Sequence, residues 1–300
     1  MATILVSDPL SERGLEILRS GGHEVAYRPG VKGDDLRAAI APAEALIVRS
    51  GTRVTAELLA AAPALRLVGR AGVGVDNIDV AAAEARGVRV LTAAEGSTVT
   101  VAEHTFALLL ALVRRIPWAH ASTTAGKWER SAFQGQELAG KTLGLVGVGR
   151  IGQAVARRAA AFEMRVIGYD PRRDFEGAEW LPMDEVLAQA DVLSVHVPLM
   201  EDTRGLLGRA AFAAMRTGVY VINTARGGLI DEQALLEALE SGQVAGAALD
   251  VFEHEPPAGS PLLAHPRVIS TPHIGASTRE AQEKVSTIIA EKVVSALAKG

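Results

Sequence analysis

Short β-branched and aliphatic runs alternate with Ala/Leu-rich stretches of helical period along most of the chain. The runs predict strands at Thr3–Ser7, Glu24–Tyr27, Ala45–Val48, Arg66–Gly69 and Val88–Leu91. A second series follows at Thr142–Val146, Arg165–Tyr169, Asp191–Val195, Val219–Ile222, Val244–Leu249 and Val268–Ser270. Helices are predicted at Glu12–Ser20, Ala56–Ala62, Ile151–Phe162, Asp184–Gln189 and Glu232–Ser241. Strands that are apolar along their length and joined by helical crossovers imply parallel sheets covered on both faces. Eleven strands exceed one comfortable sheet, so the pattern predicts two α/β units divided near Glu95–Thr98. Thr98–Arg115 then reads as a long apolar helix bridging the units, and Thr278–Ala298 as a last helix able to return to the first. The Pro/Gly-rich stretch Glu255–Pro261 is a loop.

Composition narrows the functional classes. The 300 residues are 48% hydrophobic and 22% charged, a globular balance, and the net charge of −4 argues against a nucleic-acid partner. Cysteine is absent, which removes disulfides, thiolate nucleophiles and Cys-based metal sites; no metal is expected. The longest apolar run, Phe106–Val113, is too short to cross a membrane. The first residues include Asp8 and no basic residue before Arg13, unlike a signal peptide, so the expected location is cytoplasmic.

The segment from Thr142 to Gly152 reads as strand, tight turn and helix, with Gly147, Gly149 and Gly152 in G-x-G-x-x-G spacing. The first glycine permits the turn, the second lets backbone approach a pyrophosphate, and the third lets helix and strand pack closely. Amides at the helix start would meet the phosphate charge. The next strand ends at Asp170, eighteen residues past Gly152, where a carboxylate binds ribose hydroxyls and repels a 2′-phosphate. NAD is therefore expected over NADP, although Arg172 and Arg173 follow closely and a nearby Arg can accommodate that phosphate.

Ligands of such sheets bind outside the carboxyl ends of the strands. Arg226 follows the Val219–Ile222 strand, and a guanidinium there can clamp a carboxylate or polarise a carbonyl. Asp250 and Glu255 follow the Val244–Leu249 strand, and His273 follows Val268–Ser270 just ahead of an N-cap at Ser277 or Thr278. A lone histidine is more often structural than catalytic. Polar groups at three successive strand ends beside a nucleotide fold shift that balance. His196, which also follows a strand, competes with His273 for an acid/base role, whereas His23, His104, His120, His254 and His265 have no such setting.

These motifs together resemble the D-isomer-specific 2-hydroxyacid dehydrogenases over nearly the whole length. The resemblance is carried by Gly69–Asp79, Gly126–Arg130, the fingerprint with Asp170, Asn223–Gly228, Ala248–Phe252 with Glu255–Pro257, and Pro272–Thr278. Lys127–Arg130 and His273–Gln282 point to the phosphoglycerate-oxidising branch. The resemblance implies two doubly wound parallel-sheet domains: a central Rossmann NAD-binding domain at 97–278, and a discontinuous flavodoxin-like substrate domain formed by 1–96 and 279–300. It also implies pairing as a homodimer.

The roles it implies are specific. Arg226 would hold the substrate carboxylate and carbonyl, His273 would be the acid/base group, and Glu255 would orient the imidazole and favour its protonated form. Arg150, Ile151, Thr203, Thr224, Ala225, Asp250, Gly275 and Ala276 would line the NAD site with the three fingerprint glycines and Asp170. Gly72, Val73 and Gly74 would cradle the substrate carboxylate through backbone amides; Val73 replaces the Thr or Ser of many relatives, a change a backbone contact survives. Arg49 and Ser50, with Thr52, would meet a distal phosphate, and Lys127 and Arg130 could add positive charge from a neighbouring subunit. The implied reaction is NAD-dependent oxidation of 3-phosphoglycerate to 3-phosphohydroxypyruvate in serine synthesis. The alternatives are reduction of glyoxylate, hydroxypyruvate or another 2-keto acid, and an NAD(H)-sensing binding protein. The chain ends soon after the His273 motif, so serine feedback through a C-terminal regulatory domain is not expected.

Overall fold

A computed structural model describes residues 1–298; the last two residues of the expected segment 279–300 lie outside it. The chain forms two units, one from Met1–Ser97 together with the chain from Ala276 on, the other from Thr98–Gly275.

The first unit holds β1 (Thr3–Val6), β2 (Glu24–Tyr27), β3 (Ala45–Val48), β4 (Leu67–Arg70) and β5 (Arg89–Thr92). All pair in parallel in the order β2-β1-β3-β4-β5, the flavodoxin-like arrangement, which reverses direction between β1 and β3. Successive side chains alternate between faces. Ile4, Val6, Ile47 and Leu67 therefore pack with Leu15, Leu18, Ile289 and Val293, while Leu5, Leu46, Val48 and Val68 pack with Ile40, Leu58 and Leu59. Burial on both faces is why these strands read as continuous apolar runs rather than alternating ones. Each fully buried aliphatic such as Ile289 contributes roughly 1.5–3 kcal/mol of transfer free energy. Gly69 is required inside β4 because a Cβ there would lie 3.0 Å from both Ile289 and Val293 of the helix Arg279–Ala298.

The second unit holds β6 (Thr142–Val146), β7 (Arg165–Tyr169), β8 (Glu179–Trp180), β9 (Val192–Val195), β10 (Val219–Asn223), β11 (Val244–Leu249) and β12 (Val268–Ser270). The parallel sheet runs β12-β11-β10-β9-β6-β7-β8, a Rossmann order with one strand added at the β12 edge. It reverses between β6 and β9. The fold is thus α/β with two doubly wound parallel sheets, as the sequence pattern predicts.

Several elements escape that pattern. The two-residue β8 is too short to show a period, and the short helices Gly33–Ile40, Val80–Ala85 and Arg209–Ala214 have too few turns for a clear one. The helix expected over Thr98–Arg115 ends at Val113, because Arg115 adopts φ 56° and starts a separate helix, Ile116–Thr124, that buries no residue. The buried face of Thr98–Val113, including Phe106, Leu109 and Leu112, packs within the second unit with Leu143, Leu145 and Ile222.

Candidate active site

The glycine-rich turn after β6 has the shape a pyrophosphate needs. Gly147 adopts φ +92°, and a Cβ on it would meet the His196 carbonyl carbon at 2.8 Å. A Cβ on Gly152 would lie 2.3 Å from the Gly147 carbonyl oxygen, so helix and turn touch backbone to backbone. Gly149 is different: the nearest atom to its missing Cβ is 3.9 Å away, which leaves room for a ligand to approach. Gly149 also caps the helix Arg150–Ala161 without any side-chain bond to the amides of its first turn. Open space, exposed amides and the positive end of a helix dipole fit a dinucleotide pyrophosphate.

Asp170 closes the other side of this turn. Its Oδ2 accepts from the Val148 N–H at 2.8 Å and its Oδ1 from the Arg172 N–H at 2.8 Å. The carboxylate therefore braces the turn as well as presenting charge at the end of β7. Arg172 Nε lies 4.0 Å from Oδ1 with its side chain largely exposed, an ion pair of little strength.

At the end of β10, Asn223 is fully buried and spans the turn: its Nδ2 donates to the Arg226 carbonyl, and its Oδ1 accepts from the Ala225 N–H. Arg226 Nη1 donates to the Ala225 carbonyl at 2.6 Å. Gly227 lies directly on the Phe252–Glu253 peptide, where any side chain would overlap backbone atoms within 2.0 Å. That contact brings the Arg226 loop against the loop carrying Glu255. Glu255 Oε1 accepts from the Phe252 N–H, and Oε2 lies 2.8 Å from His273 Nδ1. Both side chains of this pair stay accessible, at 51% for His273 and 38% for Glu255. An imidazole bound through Nδ1 to a carboxylate keeps Nε2 for a reacting proton.

Asp250, at the end of β11, is buried and serves the His273 loop. Its Oδ1 accepts from the Thr271 hydroxyl at 2.6 Å and the Ile274 N–H at 2.9 Å, and its Oδ2 from the Gly275 N–H at 2.7 Å. Burial pushes its carboxyl up, but bonds from His104, Thr271, Ile274 and Gly275 outweigh this and hold it below the usual carboxylate range. Thr203 has its hydroxyl engaged in its own loop, accepting from the Met200 N–H and donating to the Pro198 carbonyl. The Thr224 hydroxyl meets that of Thr105 at 2.9 Å. Ala276 is exposed and belongs to the first unit.

His196 is held differently from His273. Its ring Nε2 bonds the Ser194 hydroxyl at 2.9 Å, and its Nδ1 is buried with no partner among the described residues. Burial lowers its pKa to about 4.

In the first unit, the loops after β1 and β3 meet at the sheet's own reversal point. Asp8 is buried and accepts from the Arg49 N–H at 2.6 Å, the Thr52 N–H at 3.1 Å and the Thr52 hydroxyl at 2.9 Å. Asn77 donates to the carbonyls of Arg49 and Thr52. Together they fix the Arg49–Thr52 loop, with Ser50 left exposed at its tip. Gly72, Val73 and Gly74 follow β4, and the Arg70 guanidinium lies where a Gly72 side chain would begin. Lys127 and Arg130 are exposed on the second unit, Lys127 at 4.0 Å from Glu129. Asp8, Asn77, Asn223 and His104 are site-shaping residues that the sequence reading did not single out. Asp8 could have been found, since it follows β1 at a switch point; His104, in mid-helix, carries no such signal.

Comparison with known proteins identifies the family. The D-isomer specific 2-hydroxyacid dehydrogenase NAD-binding domain matches residues 106–275. A D-3-phosphoglycerate dehydrogenase of Archaeoglobus fulgidus is 49% identical over 99% of the chain, which spans only 57% of that relative's length. Among solved structures, the TT0316 protein of Thermus thermophilus superposes with a TM-score of 0.91 at 39% identity, covering 99% of this chain and 97% of that one. A glyoxylate reductase from Paecilomyes thermophila gives 0.91 at 32% identity, covering 100% and 96%. The chain belongs to the D-isomer-specific 2-hydroxyacid dehydrogenases, and its second unit is that family's NAD-binding domain.

Proposed function

We propose that the protein is an NAD-dependent dehydrogenase that oxidises 3-phosphoglycerate to 3-phosphohydroxypyruvate, working as a cytoplasmic homodimer in serine synthesis. The observation that carries the reading is the accessible His273–Glu255 pair, 2.8 Å apart, with the Glu255 loop packed against that of Arg226. The substrate class follows the relative of Archaeoglobus fulgidus. NAD, when bound, supplies the hydride acceptor. Gly147, Gly149, Arg150, Ile151 and Gly152 would hold its pyrophosphate and Asp170 its ribose; Thr203, Thr224, Ala225, Asp250, Gly275 and Ala276 would complete the site.

The protein's own residues manage the substrate and one proton. Arg226 binds the carboxylate and carbonyl oxygen through its forked donors. His273 Nε2 takes the C2 hydroxyl proton, and Glu255 stabilises the imidazolium that results. In the reverse direction the same Nε2 returns the proton to the carbonyl oxygen. Amides of Gly72, Val73 and Gly74 and the Arg49–Ser50 segment are assigned to the carboxylate and the distal phosphate. The exposed Ile116 and Trp128, at 52% and 76%, together with a helix that buries nothing, support a second copy as the partner.

A second reading, reduction of an unphosphorylated keto acid, is favoured by the likeness to a glyoxylate reductase. Steady-state NADH oxidation with 3-phosphohydroxypyruvate, hydroxypyruvate and glyoxylate in parallel separates the two. The expected result is a strong preference for the phosphorylated keto acid. Equal turnover on hydroxypyruvate would contradict the phosphate assignment and leave a general 2-keto acid reductase.

A further inference from the structure

Resting on the reading of His273 as the acid/base group, we propose that His104 is a positioning residue for it. From the helix Thr98–Val113, its Nε2 donates to Asp250 and Thr271 and so holds residues 271–275 in the conformation that presents His273.

The need for such a brace is visible in the backbone. His273 adopts φ +53°, a left-handed conformation uncommon outside glycine that the surrounding bonds hold in place. Its N–H reaches the carbonyls of Asp250 at 2.9 Å and Thr271 at 3.0 Å. The two amides that follow, of Ile274 and Gly275, both point at the Asp250 carboxylate. Asp250 is thus the hub of the loop, and what fixes Asp250 fixes His273.

His104 is placed to do this. Its Nε2 lies 3.3 Å from Asp250 Oδ1 and 3.2 Å from Thr271 Oγ1. Both Asp250 oxygens already accept, from the Thr271 hydroxyl and the Ile274 and Gly275 N–H groups, so Nε2 is the partner that donates. Thr271 spends its own hydroxyl hydrogen on Asp250 Oδ1 at 2.6 Å and is left with lone pairs for His104. The ring also closes over the loop: its Cδ2 stands 3.6 Å from where a Gly275 side chain would begin, opposite Asp250 Oδ2 at 2.9 Å.

The helix beneath cannot drift. Val101, Thr105, Phe106 and Leu108 are buried, and the Thr105 hydroxyl bonds both the Val101 carbonyl and the Thr224 hydroxyl of the Arg226 loop. One helical turn therefore touches both loops that carry the proposed chemistry. Loss of the His104 donor leaves a buried carboxylate short of one hydrogen bond and loosens the loop it organises.

The test compares His104→Leu, His104→Gln and His273→Gln. The readouts are kcat and KM on the best of the three keto acids, the NADH Kd by fluorescence, and amide exchange at residues 271–275. The expected result for His104→Leu is a kcat lower by about ten- to a hundredfold, a larger loss than any change in KM or in the NADH Kd, to which Asp250 and Gly275 also contribute. His104→Gln, which keeps an N–H donor, should return to within about threefold of the parent. His104→Leu added to His273→Gln should cost nothing further. A His104→Leu kcat within about twofold of the parent, a loss confined to KM or Kd, or no rescue by Gln would overturn the proposal. Should His104→Leu not fold, His104→Asn, polar but too short to reach Asp250, replaces it with the same expectations. Near-normal turnover of His273→Gln would instead mean that the acid/base reading has failed. Amide exchange then decides: faster exchange at Ile274 and Gly275 in His104→Leu upholds the bracing of the loop, and unchanged exchange overturns it.

Discussion

The ends of β9 and β12 each deliver a histidine to the carboxyl edge of the same sheet, yet the two side chains meet opposite environments. His196 follows β9 without a break: its N–H still bonds the Val146 carbonyl at 2.7 Å, and its ring folds back onto Ser194. It is half-buried, and its Nδ1 has no partner among the described residues, so burial lowers its pKa to about 4. His273 stands three residues beyond β12 on a left-handed backbone, turned away from the ladder, with Glu255 on Nδ1 and half of its side chain accessible. The difference teaches that a strand end alone does not make an acid/base group. Departure from the sheet gives access, and a carboxylate on the far nitrogen fixes the orientation of the ring.

The sharpest way to break this comparison is to exchange the fates of the two rings. His273→Gln should lower turnover by ~10²–10⁴ with little change in NADH affinity, while His196→Asn should keep most turnover. The reverse pattern in steady-state kinetics would move the proton role to β9.

The next effect is on stability. The His196 pKa falls from 6.5 in the unfolded chain to about 4 in the fold, so the unfolded chain takes up the proton first as pH drops. Stability is untouched above the unfolded value and declines from there down to about pH 4, by on the order of 3 kcal/mol in all. Urea titrations at neutral and mildly acid pH should show this loss in the parent and less of it in His196→Asn. An equal acid loss in both proteins would show that His196 is not the group responsible.

The smallest expected change concerns a third strand end. Asp170→Ala should weaken NADH binding about tenfold and narrow the preference over NADPH, leaving kcat nearly intact. Unchanged cofactor preference in paired binding titrations would give that pocket to Arg172 or Arg173.

Much of this arrangement was legible in the residues. Strands buried on both faces announce themselves, which is why both sheets could be read from the chain alone. The glycine spacing and Asp170 follow from the turn they must build. Arg226, Glu255 and His273 stood out because chemistry gathers at strand ends, and the fold brings Glu255 within 2.8 Å of His273. The interior braces were less legible: His104 and Asn223 act through contacts that no local period encodes, and only its place after β1 marks Asp8 before β3 brings Arg49 and Thr52 to it. Nor does sequence tell an exposed strand-end histidine from a half-buried one. That depends on the φ of His273 and on the close packing around His196 and Gly147.

The most direct test of the central claim, that His273 and Glu255 act as one proton-handling unit, is a double-mutant cycle on kcat. Glu255→Gln alone should cost about ten- to a hundredfold. Combined with His273→Gln it should turn over no more slowly than His273→Gln alone, because an orienting carboxylate has nothing left to orient. Two losses that multiply would contradict the account and show that the 2.8 Å contact between the two side chains plays no part in the reaction.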